Sequence, residues 1–237
     1  MCTVTFYKDS AGHPVLTSNR DEKIHRYTFV PELYRLAHTN YIAPKDQKAS
    51  GTWIALDDNG TFYCLLNGGF KKHVSKGKYR QSRGQLILDA LQAEDFKTFQ
   101  REYSLEDIEP FTLIVYQEDN LYELVWTGVK KHVKKLDKNK PHIWSSATLY
   151  TPEEAQTKRQ WFDDLFKEGI PTRQQIIDLH KSEWNQKGFL LNRTDETKTV
   201  SISQLYKQGE NLCFEYIDLL NQQTIKRVLK QKELTSS

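Results

Sequence analysis

The chain of 237 residues has only one methionine and three cysteines, and it contains no run of 18 apolar residues. A membrane-spanning helix needs about 20 predominantly apolar residues, so none is expected. The N-terminus lacks a basic region followed by an apolar core, which excludes a visible secretory signal and points to a soluble protein of the cytosol. Cys2, Cys64 and Cys213 are too few and too widely spaced for a disulfide framework or a zinc-ligand pattern, and a reducing compartment suits them. His-Glu-x-x-His, Gly-x-x-x-x-Gly-Lys, Gly-x-Gly-x-x-Gly and Gly-x-Ser-x-Gly are all absent. The seven histidines are scattered, so no metal and no cofactor is expected.

What is there describes a globular chain. The hydrophobic share of 38%, with 28 aromatic residues, is enough for a core, and 27% charged residues cover the surface. The length fits one large domain, 1–237. Net charge is only +3, but positive residues gather at Lys71, Lys72, His73, Lys76, Lys78 and Arg80, and again at Lys130, Lys131, His132, Lys134, Lys135, Lys138 and Lys140. Such clusters fit either a solvated loop and a protected strand edge or the attraction of an anionic small molecule. No nucleic-acid-binding motif accompanies them.

Residues 2–7 are β-branched and aromatic and read as a strand, 8–13 as turn chemistry, and Pro14 to Ser18 as a returning strand. This hairpin brings Asn19, Arg20 and Asp21 back beside Cys2. The stretch from Glu22 to Ser50, with Pro31 and Pro44, reads as a long irregular surface segment able to cover a site. A second hairpin turns at Asn59-Gly60 and ends at Asn67-Gly68-Gly69. Helices are expected over 83–93, with 94–103 extending it or forming another, then from Thr151 to about 167, where Thr151 and Glu154 form a cap, and over 172–184. Strands are expected over 111–116, 121–126, 129–136, 142–146, 199–205 and 212–217. Strands and helices alternate in blocks without βαβ regularity, which predicts an α+β arrangement of stacked antiparallel sheets with helices outside.

The chemistry centres on Cys2. If Met1 is removed, one residue carries both a thiol and a free α-amine, and an amine with a pKa near ~8 can take the proton of a thiol near ~8.5. Asn67, at a strand end, is of the type that donates to a developing oxyanion or supports a turn. Asp21 suits an ammonium, Arg20 a carboxylate or phosphate, and Ser145 and Ser146 could donate to a ligand or cap the backbone.

Met1-Cys2, then Ser18-Asn19-Arg20-Asp21-Glu22, Ser50-Gly51-Thr52-Trp53, Asn67, Ser82-Arg83-Gly84 and Ser145-Ser146-Ala147-Thr148-Leu149-Tyr150-Thr151-Pro152 together resemble the NRDE family, which includes the transport and Golgi organisation 2 proteins. That family is similar, more remotely, to N-terminal-nucleophile hydrolases such as penicillin V acylase and bile salt hydrolase. The resemblance implies a four-layer αββα sandwich, with Cys2, Asp21 and Asn67 catalytic and Asn19, Arg20, Ser146 and Lys198 binding substrate. Ser18 stands where the hydrolases carry arginine, Ser146 where the family has Asn, and Lys198 near a frequent Arg. The expected activity is hydrolysis or acyl transfer at a non-peptide amide or related acyl bond of a small molecule. The alternative is a non-catalytic protein handling a lipid, an acyl-thioester or haem on the same fold.

Overall fold

The computed structural model describes residues 3–36 and 38–232. Two antiparallel sheets stack face to face, with helices on both outer faces. One sheet has six strands in the order β10-β1-β2-β11-β12-β13. These are β1 (Thr3–Lys8), β2 (Pro14–Lys23), β10 (His142–Ser145), β11 (Thr197–Gln208), β12 (Asn211–Asp218) and β13 (Gln223–Lys230). The other runs in sequence order from β3 to β9: β3 (Thr28–Leu36), β4 (Thr39–Asp46), β5 (Ile54–Asp57), β6 (Phe62–Asn67), β7 (Phe111–Gln117), β8 (Asn120–Trp126) and β9 (Lys131–Leu136).

Three apolar layers hold the stack. Between the sheets lie Val4, Phe6, Leu16, Ile54, Phe62, Ile114 and Phe214, all essentially inaccessible to water. The outer face of the seven-stranded sheet packs on α1 (Gln85–Ala90) and α2 (Phe96–Glu102) through Leu86, Ile87, Phe96 and Phe99. The outer face of the six-stranded sheet packs on α3 (Pro152–Leu165) and α4 (Arg173–Lys181) through Tyr7, Val15, Phe162 and Ile176. Strand alternation directs this sorting, since successive side chains of β1 point in turn to the helices and to the opposite sheet. The architecture is the expected α+β arrangement of two antiparallel sheets. Among the described residues no helix is long and apolar enough to cross a membrane.

Local chemistry explains where elements begin. Thr151 and Thr172 open α3 and α4 with reciprocal capping boxes to Glu154 and Gln175, and Pro152 fits the first turn. Asp95 caps α2 by accepting from the Thr98 amide, so 94–103 is a separate helix from α1. Glu118 and Asp119 both take positive φ and join β7 to β8 by a tight turn.

The region 22–50 differs from expectation, since most of it is the hairpin β3–β4 rather than an irregular covering segment. The two prolines that obscure it sit where a ladder tolerates them. Pro31 falls within a register shift between Phe29 and Glu32 on an edge strand, and Pro44 lies opposite that bulge, beyond the Tyr41 and Ile42 pairing with β5. Strand β13 was not expected either; its alternating Ile225, Arg227 and Leu229 turn inward from a mostly exposed, charged edge.

Gly51 and Gly84 meet backbone to backbone, where the Thr52 amide donates to the Gly84 carbonyl at 3.1 Å. A β-carbon on Gly51 would stand 2.6 Å from the Gly84 carbonyl carbon. Gly51→Ala therefore forces the two segments apart, and a urea denaturation series should show a loss of about 1–3 kcal/mol, the usual range for overpacking.

Candidate active site

Strand β2 lies between β1 and β11, and its residues Thr17 to Asp21 are almost wholly buried. Buried polar groups must find partners, so the environment of this strand can be followed bond by bond. Its odd-numbered side chains face α3 and α4, and its even-numbered ones face the other sheet.

On the helix side Asp21 is inaccessible to solvent. Its carboxylate accepts from Tyr150 Oη at 2.6 Å and from Thr199 Oγ1 at 2.6 Å. Thr199 stands directly across the ladder from Asp21, and its hydroxyl also accepts from the Leu191 amide at 2.8 Å. Tyr150 follows β10 and closes the turn that starts at Ser146, its amide donating to the Ser146 carbonyl. The ring of Tyr150 carries the ammonium of Lys158 on its face, 3.4 Å from the centroid, a cation–π contact.

Lys158 is the unusual group. It projects inward from α3, is 1% exposed, and donates to Thr3 Oγ1 at 2.6 Å. Burial pushes its pKa down to about 7 against the pull of the nearby Asp21 carboxylate. Thr3 is the first described residue of β1 and follows Cys2 directly; Cys2 itself lies outside the described residues.

Asn19 also faces the helices. Both hydrogens of its amide are committed to the carbonyls of His180 (3.2 Å) and Phe189 (3.1 Å). Its oxygen must therefore accept from His180 Nδ1–H at 2.6 Å, which leaves His180 Nε2 to accept from the Thr5 hydroxyl at 2.9 Å. Complete burial keeps the imidazole neutral, which selects this tautomer. Asn19 thus anchors α4 and the segment after it to the central strand.

On the other face Arg20 reaches between the sheets. Its guanidinium donates to Asp46 Oδ2 at 2.8 Å and to the Arg26 carbonyl at 3.2 Å, and it stacks over Trp53 at 4.5 Å. Burial works against ionisation of Asp46, but the Ala49 amide and the Arg26 and Arg20 guanidiniums outweigh it and lower its pKa. Arg20, Asp46, Trp53, Asn67 and Arg83 line one small cavity of about 90 Å³. The indole N–H of Trp53 is buried there without a partner.

Asn67 ends β6, and its carbonyl accepts from Ser146 Oγ at 2.7 Å. Gly68 follows with φ +90°, and a β-carbon there would meet Thr148 Cγ2 at 2.8 Å, so glycine lets the Asn67 end of one sheet close on the Ser146 turn of the other. Ser145 pairs with Thr3 across the β10–β1 ladder. A larger cavity of about 450 Å³ opens beside this junction, bounded by Phe70, Lys71, Lys72, Ser145, Thr148 and Tyr150.

Thr3, Asp21, Ser146, Tyr150 and Lys158 thus meet at the start of β1, and Asn67 joins them through Ser146. Lys198 does not join them. It lies opposite Glu22, on the sheet face away from Asp21. Among the described residues no group of three His, Cys, Asp or Glu side chains is placed to hold a metal ion.

Sequence alone does not single out Tyr150, Lys158 and Thr199. Lys158 did leave a signal, since Ala155, Lys158, Phe162 and Leu165 fall at the spacing of one buried helix stripe, with a lysine where an apolar residue is ordinary. Tyr150 sits inside the 145–152 motif. Thr199 becomes meaningful only once its register with Asp21 is known.

The fold is that of N-terminal-nucleophile-hydrolase-like proteins. A Caenorhabditis elegans N-acylethanolamine-hydrolyzing acid amidase ortholog superposes with a TM-score of 0.59 at 12% identity, over 86% of this chain and 92% of that one. The conjugated bile acid hydrolase of Clostridium perfringens, as a mutant, superposes with a TM-score of 0.55 at 11% identity, over 98% of this chain and 97% of that one. The chain belongs to the transport and Golgi organisation 2 family, whose model matches residues 1–228. No curated protein matches the sequence.

The neutral, fully buried His180 makes stability depend on pH. Burial lowers its pKa to about 3, with the Lys158 charge adding to the effect, whereas the unfolded chain keeps about 6.5. Between these values the unfolded state binds the extra proton. The contribution is therefore complete above about pH 6.5 and falls as pH drops, by up to about 1.4 kcal/mol per unit. Urea melts between pH 7.5 and 5 should show this slope, and His180→Gln should flatten it.

Proposed function

We propose that this protein is an N-terminal-nucleophile cysteine hydrolase or acyltransferase acting on a non-peptide amide or related acyl bond of a small molecule. The observation that carries the reading is the cluster at the start of β1: a buried carboxylate, Asp21, with its two hydroxyl donors, and the buried ammonium of Lys158 on Thr3, the residue bonded to Cys2. A buried charge network is costly to maintain, and one gathered at the end of a strand beside a cavity is the kind of environment that tunes catalytic groups. The fold is shared with proteins named as an amidase and a conjugated bile acid hydrolase, which supports the reaction class.

In this mechanism Met1 is removed and the α-amine of Cys2 accepts the thiol proton. The sulfur bonds to the substrate carbonyl carbon, and the oxygen becomes negative. Asn67 donates to that oxygen together with a backbone N–H. The tetrahedral centre collapses, the C–N bond breaks, and the leaving amine takes the proton held by the α-ammonium. Water, or another acceptor in acyl transfer, then attacks the thioester, gives its proton to the α-amine, and frees the acyl group while the thiol is restored. Asp21 holds the α-ammonium in place. Lys158, titrating near neutrality, balances the charge of Asp21 beside it. The cavity of about 450 Å³ suits an acyl group, and Lys71 and Lys72 at its rim suit an anionic one.

Two measurements test this. Peptide mass spectrometry after brief treatment with limiting thiol alkylator should show a processed N-terminus and Cys2 labelled far faster than Cys64 and Cys213, which are 0% and 2% exposed. Incubation with a panel of acyl amides and acyl-thioesters should then trap a thioester that Cys2→Ala abolishes, and Asn67→Ala should slow its formation by about 10²–10³-fold. Retention of Met1, or the absence of any thioester, would favour non-catalytic acyl carriage in the same cavity.

A further inference from the structure

The proposed chemistry leaves the lysine clusters unexplained. Residues 70–80 hold four lysines and an arginine with no acidic residue, and residues 127–140 hold six lysines and one aspartate. Each segment is therefore net +5. The whole chain is only +3, so everything outside these 25 residues carries a net −7. That is a strongly polarised molecule.

The fold joins the two segments. Phe70 packs edge-on against His132 of β9, their ring centroids 5.1 Å apart. Behind it Gly69 backs onto the main chain of Trp126 and Thr127, where a β-carbon would lie 3.0 Å from the Trp126 carbonyl. The 70–80 loop and the β8–β9 turn thus share one end of the seven-stranded sheet, and β9 is its edge. Among the described residues no salt bridge engages Lys71, Lys72, Lys76, Lys78 or Lys135, whose charges face solvent, while Lys134 stands across the ladder from Glu123.

Apolar side chains stand among them. Val74 is 93% exposed at the loop, Val129 90% at the turn, and Phe70 60%. Such exposure is unfavourable in water, and among the described residues the two most exposed large apolar side chains, Val74 and Val129, both stand here at tips flanked by lysine. Phe70, Lys71 and Lys72 also form the rim of the cavity of about 450 Å³.

We infer that this face docks on an anionic lipid bilayer, with the lysines on headgroup phosphates and carboxylates and Val74, Val129 and Phe70 dipping into the headgroup boundary, so that the cavity opens toward the membrane. Charge complementarity selects the surface, since each lysine near an anionic leaflet contributes about fivefold in affinity. The exposed valines separate a bilayer from a nucleic acid, whose phosphate backbone offers nothing to aliphatic tips. Docking delivers an acyl-bearing small molecule to the cavity without crossing water. Binding requires no turnover, so it stands or falls apart from the proposed reaction.

The test is cosedimentation of the full chain with vesicles of phosphatidylcholine alone, with vesicles about one third phosphatidylserine, and a parallel titration of duplex oligonucleotide. Partition onto the anionic vesicles alone, weakened by added salt, is expected. Replacing Lys76, Lys78, Lys134 and Lys135 together by Gln should lower it roughly 600-fold, about fivefold per lysine. Val74→Ser with Val129→Ser, which leaves the charge unchanged, should lower vesicle binding about tenfold and leave oligonucleotide binding unaltered. Equal partition onto neutral and anionic vesicles, indifference to the lysine or valine replacements, or tighter binding to the duplex than to anionic vesicles would overturn the proposal.

Discussion

The burial of Asp21 in the middle of a six-stranded sheet is the constraint on which the arrangement rests. A carboxylate removed from water needs donors, and losing one partner of a buried charge typically costs several kcal/mol. The donors that satisfy it come from far along the chain, the hydroxyls of Tyr150 and Thr199. Their convergence fixes the register of β11 on β2 and the turn between β10 and α3 at once. Lys158 then supplies the nearby positive charge, lodged on the Tyr150 ring and held to Thr3. One charge in the sheet thereby organises a strand, a turn and a helix around the start of β1.

The neighbouring residues extend the same logic to the other layers. Asn19 uses its whole amide on α4 and the segment after it, and Arg20 turns to the opposite face to meet Asp46 of β4 and Trp53. Three consecutive polar residues on one strand therefore bind three separate parts of the molecule, because strand alternation points them to opposite faces. The Asn-Arg-Asp run serves as a structural junction. This explains why side chains that read from sequence as substrate contacts are already committed within the protein, and why the Ser-Gly-Thr-Trp and Ser-Arg-Gly stretches, which meet at Gly51 and Gly84, line the same small cavity as Arg20.

The fold was largely legible because its signals are local. Capping boxes at Thr151 and Thr172, the Asn59-Gly60 turn and alternating strands all lie within a few residues of the elements they specify. The hairpin β3–β4 was not, because Pro31 and Pro44 look like breakers until an edge position and a bulge give them a place. The candidate site was only partly legible as a spatial cluster, for a different reason. Asp21, Asn67 and Ser146 could be named from motifs, but a partner such as Thr199, 178 residues from Asp21, is defined only by cross-strand register. Lys158 shows the intermediate case, an anomaly in a helix stripe whose meaning depends on the buried aspartate beside it.

The two sides of the start of β1 carry different physics, and the difference bears on function. The helix side is dry and charge-balanced, with Asp21 and Lys158 close together and His180 neutral. In a low-dielectric setting of this kind a small change in charge is strongly felt, so the protonation of one group there biases the next. The sheet-to-sheet side is hydrogen-bonded and tight, with Asn67 tied through its carbonyl to Ser146 and Gly68 permitting the close approach of the two turns. The N-terminal end of β1 thus has a buried charged network on its helix side and a close sheet-to-sheet junction on the other. Beside this junction opens the cavity of about 450 Å³, with Lys71 and Lys72 in its lining, and positive side chains at a cavity raise the local concentration of anions.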